Sequence, residues 1–167
     1  MSTNSVVAYL NEDGSVVSSY VHYDGYETGV GMMLLEHYNT DKCARDLAST
    51  LGYASSLSET VAESHANRVH TDEPETFESM EEFELYLMEN SHLEFGYLWT
   101  GGKWMVASWT TTVEGTGPYA EYNSTWNGFH WLVTSFVREG RKTVERFRDR
   151  ALEDNREGRT EYDEFAD

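Results

Sequence analysis

The sequence predicts an α+β fold: an antiparallel sheet built from two β-hairpins, with several helices packed on one face and a further helix at the C-terminus. Two pairs of β-rich runs flank short turn sequences, Asp13-Gly14 in the first pair and Gly101-Gly102 in the second. Apolar residues recur at helical spacing between the two pairs. The 167 residues, 39% of them hydrophobic, suit one folded domain with its own core.

The N-terminal part of the chain contains the first hairpin and two helices. Val6–Leu10 and Val16–His22 are the strands of the hairpin. Helices are predicted over Gly29–Tyr38 and Asp41–Leu51, because apolar residues in each fall at positions i, i+3, i+4 and i+7. Thr40 is the candidate N-cap of the second helix, since its hydroxyl can accept a hydrogen bond from a free backbone amide.

Two capping boxes, in which Ser is followed by Glu three residues later, predict the starts of two more helices: Ser56 with Glu59, and Ser79 with Glu82. The first of these helices is expected to end near Asn67, and the second covers Met80–Asn90. Between them, the polar segment His70–Glu75 contains a proline and is predicted to be a loop.

The C-terminal part begins with the second hairpin, whose strands are Leu93–Trp99 and Trp104–Trp109. The Gly-rich segment Glu114–Pro118 is predicted to be a loop. Phe129–Val137 fits both the alternation of a strand and the spacing of a helix, so its structure stays open. A helix is predicted over Arg138–Glu153, followed by an acidic tail.

The net charge is −18, and it is unevenly distributed. Residues 1–137 hold 4 Lys/Arg and 20 Asp/Glu, whereas residues 138–167 hold 8 and 10. We therefore expect an acidic α+β domain over residues 1–137 and a basic helix with an acidic tail over residues 138–167, packed on that domain. The charge argues against direct nucleic-acid binding, because phosphates are neutralised by clustered Lys and Arg. It favours attraction to basic surfaces; adaptation to a salty cytoplasm is the alternative.

Carboxylates are concentrated before and along the predicted Met80–Asn90 helix, and the candidate partner-binding residues are Glu75, Glu78, Glu81, Glu82 and Glu89. On a helix, side chains four residues apart lie about 6 Å apart along the axis. This spacing is close enough to that of DNA phosphates for a nucleic-acid mimic to be one form of the hypothesis. A solvated helix face is the simpler alternative.

A cluster of the opposite charge follows near the C-terminus: Arg138, Arg141, Lys142, Arg146, Arg148 and Arg150. Three interpretations stay open for this basic patch. It can dock on the acidic body of the same chain, contact the acidic face of a second copy in a homodimer, or contact nucleic acid or phosphate. Docking within the chain is the simplest of the three.

The candidate ligand-binding residues lie where the first hairpin meets the first helix: His22, Asp24, Tyr26 and His37. A His–Asp pair can orient an imidazole for proton transfer or hold a small ligand. No motif places a Ser or Cys nucleophile, so no catalytic residue is assigned, and the alternative is a structural turn at Asp24-Gly25. No metal-ligand spacing occurs, and no metal or cofactor is expected.

Two stretches, Val21–Tyr26 and Gly29–Tyr38, resemble a family of small acidic bacteriophage proteins of unassigned function. The family pattern is Cys-His-Trp-Asp-Gly-Tyr, then a helix ending Leu-Leu-x-His-Tyr; Val21 and Tyr23 replace its Cys and Trp here. Weaker likenesses occur at two further segments, and the resemblance covers about residues 5–110. It implies a phage origin and a host-cytoplasm setting, but no reaction.

Other features agree with that setting. The apolar runs are far shorter than the roughly 20 residues of a membrane-spanning helix, so no membrane association is expected. The single cysteine, Cys43, fits a reducing compartment. We therefore expect a phage-encoded, acidic interaction protein that binds and modulates a basic host or defence protein. Since the sequence has no catalytic motif, we do not expect an enzyme. The alternative is a small-ligand-binding or catalytic protein that uses the corner of His22, Asp24 and His37.

Overall fold

The computed structural model describes residues 2–69 and 72–133, which form seven strands and four helices. In chain order these are β1 (Asn4–Leu10), β2 (Val16–Val21), α1 (Met32–His37), α2 (Asp41–Thr50), β3 (Tyr53–Ala54), α3 (Val61–His65), β4 (Glu75–Phe77), α4 (Met80–Glu89), β5 (Leu93–Thr100), β6 (Lys103–Glu114) and β7 (Glu121–Trp131). One π-helical turn, Glu27–Gly31, leads into α1. The predicted C-terminal helix and its basic patch lie outside the described residues.

All of these strands belong to one mixed sheet in the order β3-β2-β1-β5-β6-β7, with β4 also paired to β2. Both predicted hairpins are present, as the antiparallel pairs β1–β2 and β5–β6. They are joined by a parallel pair, β1–β5, and β2 is also parallel to β3. The prediction of an antiparallel sheet is therefore wrong. The helices α1 and α2 form the crossover that joins the parallel strands β2 and β3, and the chain then continues through α3, β4 and α4 before β5 pairs with β1.

The helices pack on both faces of the sheet, so the prediction of helices on one face is also wrong. One face buries Val7 and Tyr9 of β1 in a cluster with residues of α1 and α2. The opposite face buries Val6 and Ala8 with Phe83 and other residues of α4. Because successive side chains of a strand point to opposite faces, a central strand covered on both sides is apolar throughout.

Side-chain caps set the starts of three helices: the amides of Cys43, Glu63 and Glu82 donate to the hydroxyls of Thr40, Thr60 and Ser79 at 3.0, 3.1 and 3.1 Å. The predicted caps at Thr40 and Ser79 are confirmed. The third helix begins after Thr60, not after Ser56, because a second capping pattern, Thr60 with Glu63, lies four residues further on. The predicted loop over residues 70–75 ends in β4.

Most of β7 lies where the sequence predicts no element, and only its last three residues, 129–131, fall within the segment that fits both a strand and a helix. The strand pairs with β6 along most of its length and extends the sheet beyond β5. The outer part of this β6–β7 ribbon, residues 110–125, is exposed on both faces, and Tyr119 and Tyr122 are among its most exposed side chains. A strand that is exposed on both faces lacks the alternation of apolar and polar residues that reveals a half-buried strand.

Candidate functional site

Backbone hydrogen bonds fix the corner between β2 and α1. Asp24 has a φ of 58°, a left-handed conformation that is uncommon for a residue other than glycine. Its carbonyl accepts a hydrogen bond from the amide of Val30 at 2.7 Å. The neighbouring Gly25 donates its amide to the carbonyl of Thr3 at 2.9 Å and accepts from the buried hydroxyl of Tyr97 at 2.7 Å.

Two glycines allow the chain to approach itself this closely. A Cβ on Gly29 would lie 2.2 Å from the carbonyl oxygen of Asp24, and a Cβ on Gly25 would lie 2.7 Å from that of Thr3. Both distances are too short for any side chain without backbone movement. The Asp-Gly turn of the motif therefore has a structural role, which is the alternative that the sequence left open.

Two of the four candidate ligand-binding residues, Asp24 and Tyr26, lie together. The hydroxyl of Tyr26 donates to Oδ1 of Asp24 at 3.0 Å. Both residues line a cavity of about 250 Å³ beside α1, together with Met32, Met33 and Glu36. This volume is slightly below the range of ordinary small-ligand pockets, about 300 to 1,000 Å³.

The two histidines are not among the residues that line this cavity, although each contacts one that does, His22 the ring of Tyr23 and His37 the carboxylate of Glu36. Nδ1 of His22 lies 3.0 Å from the hydroxyl of Tyr20. Nε2 of His37 lies 3.7 Å from Oε2 of Glu36 and 4.0 Å from Oε1 of Glu59. The structure therefore does not join the four residues in one catalytic arrangement, since each imidazole faces a different set of neighbours.

The five candidate partner-binding carboxylates, Glu75, Glu78, Glu81, Glu82 and Glu89, are all exposed. Within the described residues, the ion pairs involve His37, Lys42 and Arg45 and none of these five glutamates. Their charge is therefore not neutralised by any cation in the part of the chain that the structure describes.

The carboxylates do not form one continuous row along α4. Glu78 precedes the N-cap Ser79, so it lies outside the helix. The carboxylate of Glu82 turns back and accepts a hydrogen bond from the amide of Glu78 at 2.7 Å. Glu82 therefore serves to cap the helix, and the other four carboxylates are left for contacts with a partner.

Apolar side chains accompany these charges on the outer side of α4. Phe83 and Leu87 are buried against the sheet, whereas Leu85 and Met88 are 52% and 42% exposed. We call the five glutamates together with Leu85 and Met88 the β4–α4 surface. An apolar centre with a charged rim is the usual composition of a protein–protein contact.

A second cavity, of about 310 Å³, lies beside this surface at the β2 edge of the sheet and was not predicted from the sequence. Three tyrosines line it, Tyr20, Tyr53 and Tyr86, and the ring centroids of Tyr20 and Tyr53 are 4.6 Å apart. Burial, followed by the neighbouring Tyr53 and Tyr86, raises the pKa of Tyr20 to about 12. Burial and the charge of Glu75 raise the pKa of Tyr86. These two rings are therefore neutral near pH 7.

Three further observations concern metal binding, membrane-spanning helices and the basic patch. Among residues 2–69 and 72–133, no group of three His, Cys, Asp or Glu side chains is placed to hold a metal ion. None of the helices in the same ranges has the length and apolar character needed to cross a membrane. The predicted basic patch, from Arg138 to Arg150, falls outside the described part of the chain.

Comparison of the chain with protein-family models, with curated proteins and with solved structures finds no match. The resemblance to small acidic phage proteins stays a prediction from the residues of the motif.

Proposed function

We propose that this chain is a non-enzymatic interaction protein that binds a basic partner protein through the β4–α4 surface. One observation carries the proposal. Exposed carboxylates that have no cation partner among the described residues lie on β4, on α4 and between them, and α4 also exposes two apolar side chains, Leu85 and Met88.

Repulsion among the glutamates of this surface favours a basic partner. Like charges on one short helix and on the residues just before it repel each other, and a basic surface would relieve that repulsion. Exposed charges act over a Debye length of about 10 Å at 0.1 M salt, so such a patch mainly accelerates encounter with a complementary surface. Burial of Leu85 and Met88 would then add stability that does not depend on salt.

The resemblance to phage proteins supplies the biological setting of the proposal. In that setting the partner is a basic host or defence protein in the host cytoplasm, and binding modulates its activity. The ten residues of α4 span about 15 Å, and Glu82 is turned back to the start of the helix. This geometry favours general charge complementarity over a copy of the phosphate repeat of DNA.

A pair of matched variants tests the proposal. The first replaces Glu78, Glu81 and Glu89 by Gln, and the control replaces Glu12, Glu114 and Glu121, which are exposed elsewhere. Both variants remove the same charge and leave the capping carboxylate of Glu82 intact. Partners are captured from a bacterial lysate on the immobilised protein at about 0.05 M and about 0.5 M salt and compared by mass spectrometry.

We expect wild type and control to retain a basic partner at low salt and to lose it at high salt. The first variant is expected to lose that partner at both salt concentrations. Equal loss in both variants would mean that total charge matters and not its location, and undiminished capture by the first variant would remove the β4–α4 surface from the contact.

A second candidate function is supported by the cavity at Asp24 and Tyr26. A non-glycine residue in a left-handed conformation at the rim of a cavity is a feature often found at ligand sites. Asp24→Gly keeps this backbone conformation accessible and removes only the carboxylate. A small molecule that raises the melting temperature of wild type but not of Asp24→Gly would support a ligand site. Equal shifts in both proteins would contradict it.

A further inference from the structure

We propose that the 310 Å³ cavity at the β2 edge of the sheet is an anchor pocket for one cationic side chain, a lysine or arginine of the basic partner. This inference rests on the proposed function and gives it a specific contact. A surface defined by charge alone attracts any basic protein, whereas a pocket that encloses one cation also fixes where the partner sits.

The walls of the pocket suit an organic cation because three aromatic rings meet there. Tyr20 comes from β2, Tyr53 from β3 and Tyr86 from α4. The rings of Tyr20 and Tyr53 pack on each other at an angle of 37° and form one aromatic side of the pocket. An ammonium or guanidinium group within about 6 Å of a ring centroid is attracted by the negative face of the ring.

The charge of the pocket has the sign that a cation needs. Its lining includes Asp72, Glu73 and Glu75, all exposed, and contains no Lys or Arg among the described residues. Arg68 lies close to the pocket wall, with its Nη2 3.7 Å from the position that a Cβ on Gly52 would take. Three carboxylates against one guanidinium at the rim leave the pocket with net negative charge.

Ser18 provides a hydroxyl group in the lining of the pocket. This residue is 4% exposed and makes no side-chain hydrogen bond to a described residue. The adjacent Ser19, on the other face of β2, donates to the carbonyl of Ala48 at 2.7 Å and accepts from the amide of Gly52 at 2.9 Å. The hydroxyl of Ser18 can therefore accept a hydrogen bond from a donor that enters the pocket. Ammonium and guanidinium groups carry only donors.

The test uses the intact chain and two small probes, N-acetyl-arginine methylamide and N-acetyl-lysine methylamide. Each is titrated while the tyrosine ring signals are followed by NMR. The neutral norleucine analogue is titrated in parallel as an isostere of lysine. We expect the cationic probes to bind with dissociation constants on the order of 1 mM, and the neutral analogue to bind at least about tenfold more weakly.

Two variants locate the binding. Tyr53→Leu removes one wall, and the double variant Glu73→Gln with Glu75→Gln removes exposed charge without touching the core. Each is expected to weaken the cationic probes by about threefold to tenfold. Tyr122→Leu and Glu114→Gln, on the exposed β6–β7 ribbon, are the matched controls and are expected to leave binding unchanged.

Four results would overturn the inference: equal binding of the neutral analogue, absence of ring shifts with either cationic probe, equal effects in pocket and control variants, or tighter binding of free choline than of both probes. The last would indicate a free quaternary ammonium ligand instead of a partner side chain.

The partner experiment separates this inference from the proposed function. If Tyr53→Leu, which leaves every residue of the β4–α4 surface intact, loses the probes but holds the partner as tightly as wild type does, the pocket is not the anchor and the β4–α4 proposal still stands. If the Glu78, Glu81 and Glu89 variant holds the partner fully while the probes still bind, the proposed surface fails and the pocket is retained as a cation site. Loss of both probes and partner in the pocket variant supports the inference.

Discussion

One hydroxyl on β5 is expected to stabilise the corner that carries the Asp-Gly motif. Tyr97 is fully buried, and its Oη donates to the carbonyl of Gly25 at 2.7 Å across 72 positions of sequence. Burial, followed by the charge of Glu27, raises the pKa of this phenol well above its ordinary value, so the group stays a neutral donor. Tyr97→Phe removes the hydroxyl and leaves the ring in place.

The magnitude follows from the burial of both groups. A buried carbonyl that loses its donor costs about 1 to 3 kcal/mol, so we expect Tyr97→Phe to lower the free energy of unfolding by about 2 kcal/mol. For a chain of this size, 1 kcal/mol corresponds to about 2 to 4 °C in melting temperature. The expected shift is therefore about 4 to 8 °C. Tyr26→Phe is the matched control, because it removes an exposed hydroxyl that donates to Asp24 at the same corner.

Urea denaturation and thermal melting, both followed by circular dichroism, measure the two variants beside wild type. Tyr26→Phe is expected to have the same melting temperature as wild type. If Tyr97→Phe loses less than about 0.5 kcal/mol, the hydrogen bond to Gly25 is not what holds the corner, and the structural account of the motif is refuted.

Three further predictions concern stability. Gly29→Ala places a Cβ 2.2 Å from a carbonyl oxygen and should lower the free energy of unfolding, measured by urea denaturation, by about 2 to 3 kcal/mol. Gly31→Ala, whose Cβ would meet side chains at 3.2 Å or more, should lower it by less. The reverse order would contradict the packing of these glycines. Ser79→Ala removes the cap of α4 and should cost about 1 kcal/mol; an unchanged urea midpoint would show that the cap contributes nothing. The pKa values of Tyr20 and Tyr38 are raised from 10.0 to about 12, mainly by burial. Because the unfolded chain loses these protons first, stability should be level below pH 10 and fall as the pH rises toward 12; a level profile up to pH 12 would contradict the burial of these phenols.

Local features of the fold could be predicted from the sequence because each depends on neighbouring residues. The Asp-Gly and Gly-Gly turns set the two hairpins, and Ser79 with Glu82 set the start of α4. The parallel pairing of β1 with β5 could not be predicted in the same way, since its partners, such as Val7 and Tyr97, are far apart in the chain. The same turn signals are compatible with several arrangements of the hairpins.

In the candidate site, too, some features follow from neighbouring residues and others arise only in the folded chain. The outward position of Glu81 and Glu89 follows from the helical period of α4, which places Phe83 and Leu87 on the buried side. The tyrosine pocket comes from separate segments, with Tyr20, Tyr53 and Tyr86 on three different elements. No spacing along the sequence reveals it, because only the folded sheet and α4 bring these rings together.

Amide hydrogen exchange of the chain, free and bound to its captured partner, would show where the partner contacts it. The measurement needs no variant and covers the whole chain. The account predicts slower exchange on binding within residues 72–90, which include β4 and α4, with the exposed β6–β7 ribbon unchanged. Protection confined to that ribbon, or to the corner at Asp24, would contradict the claim that the glutamates of the β4–α4 surface form the contact.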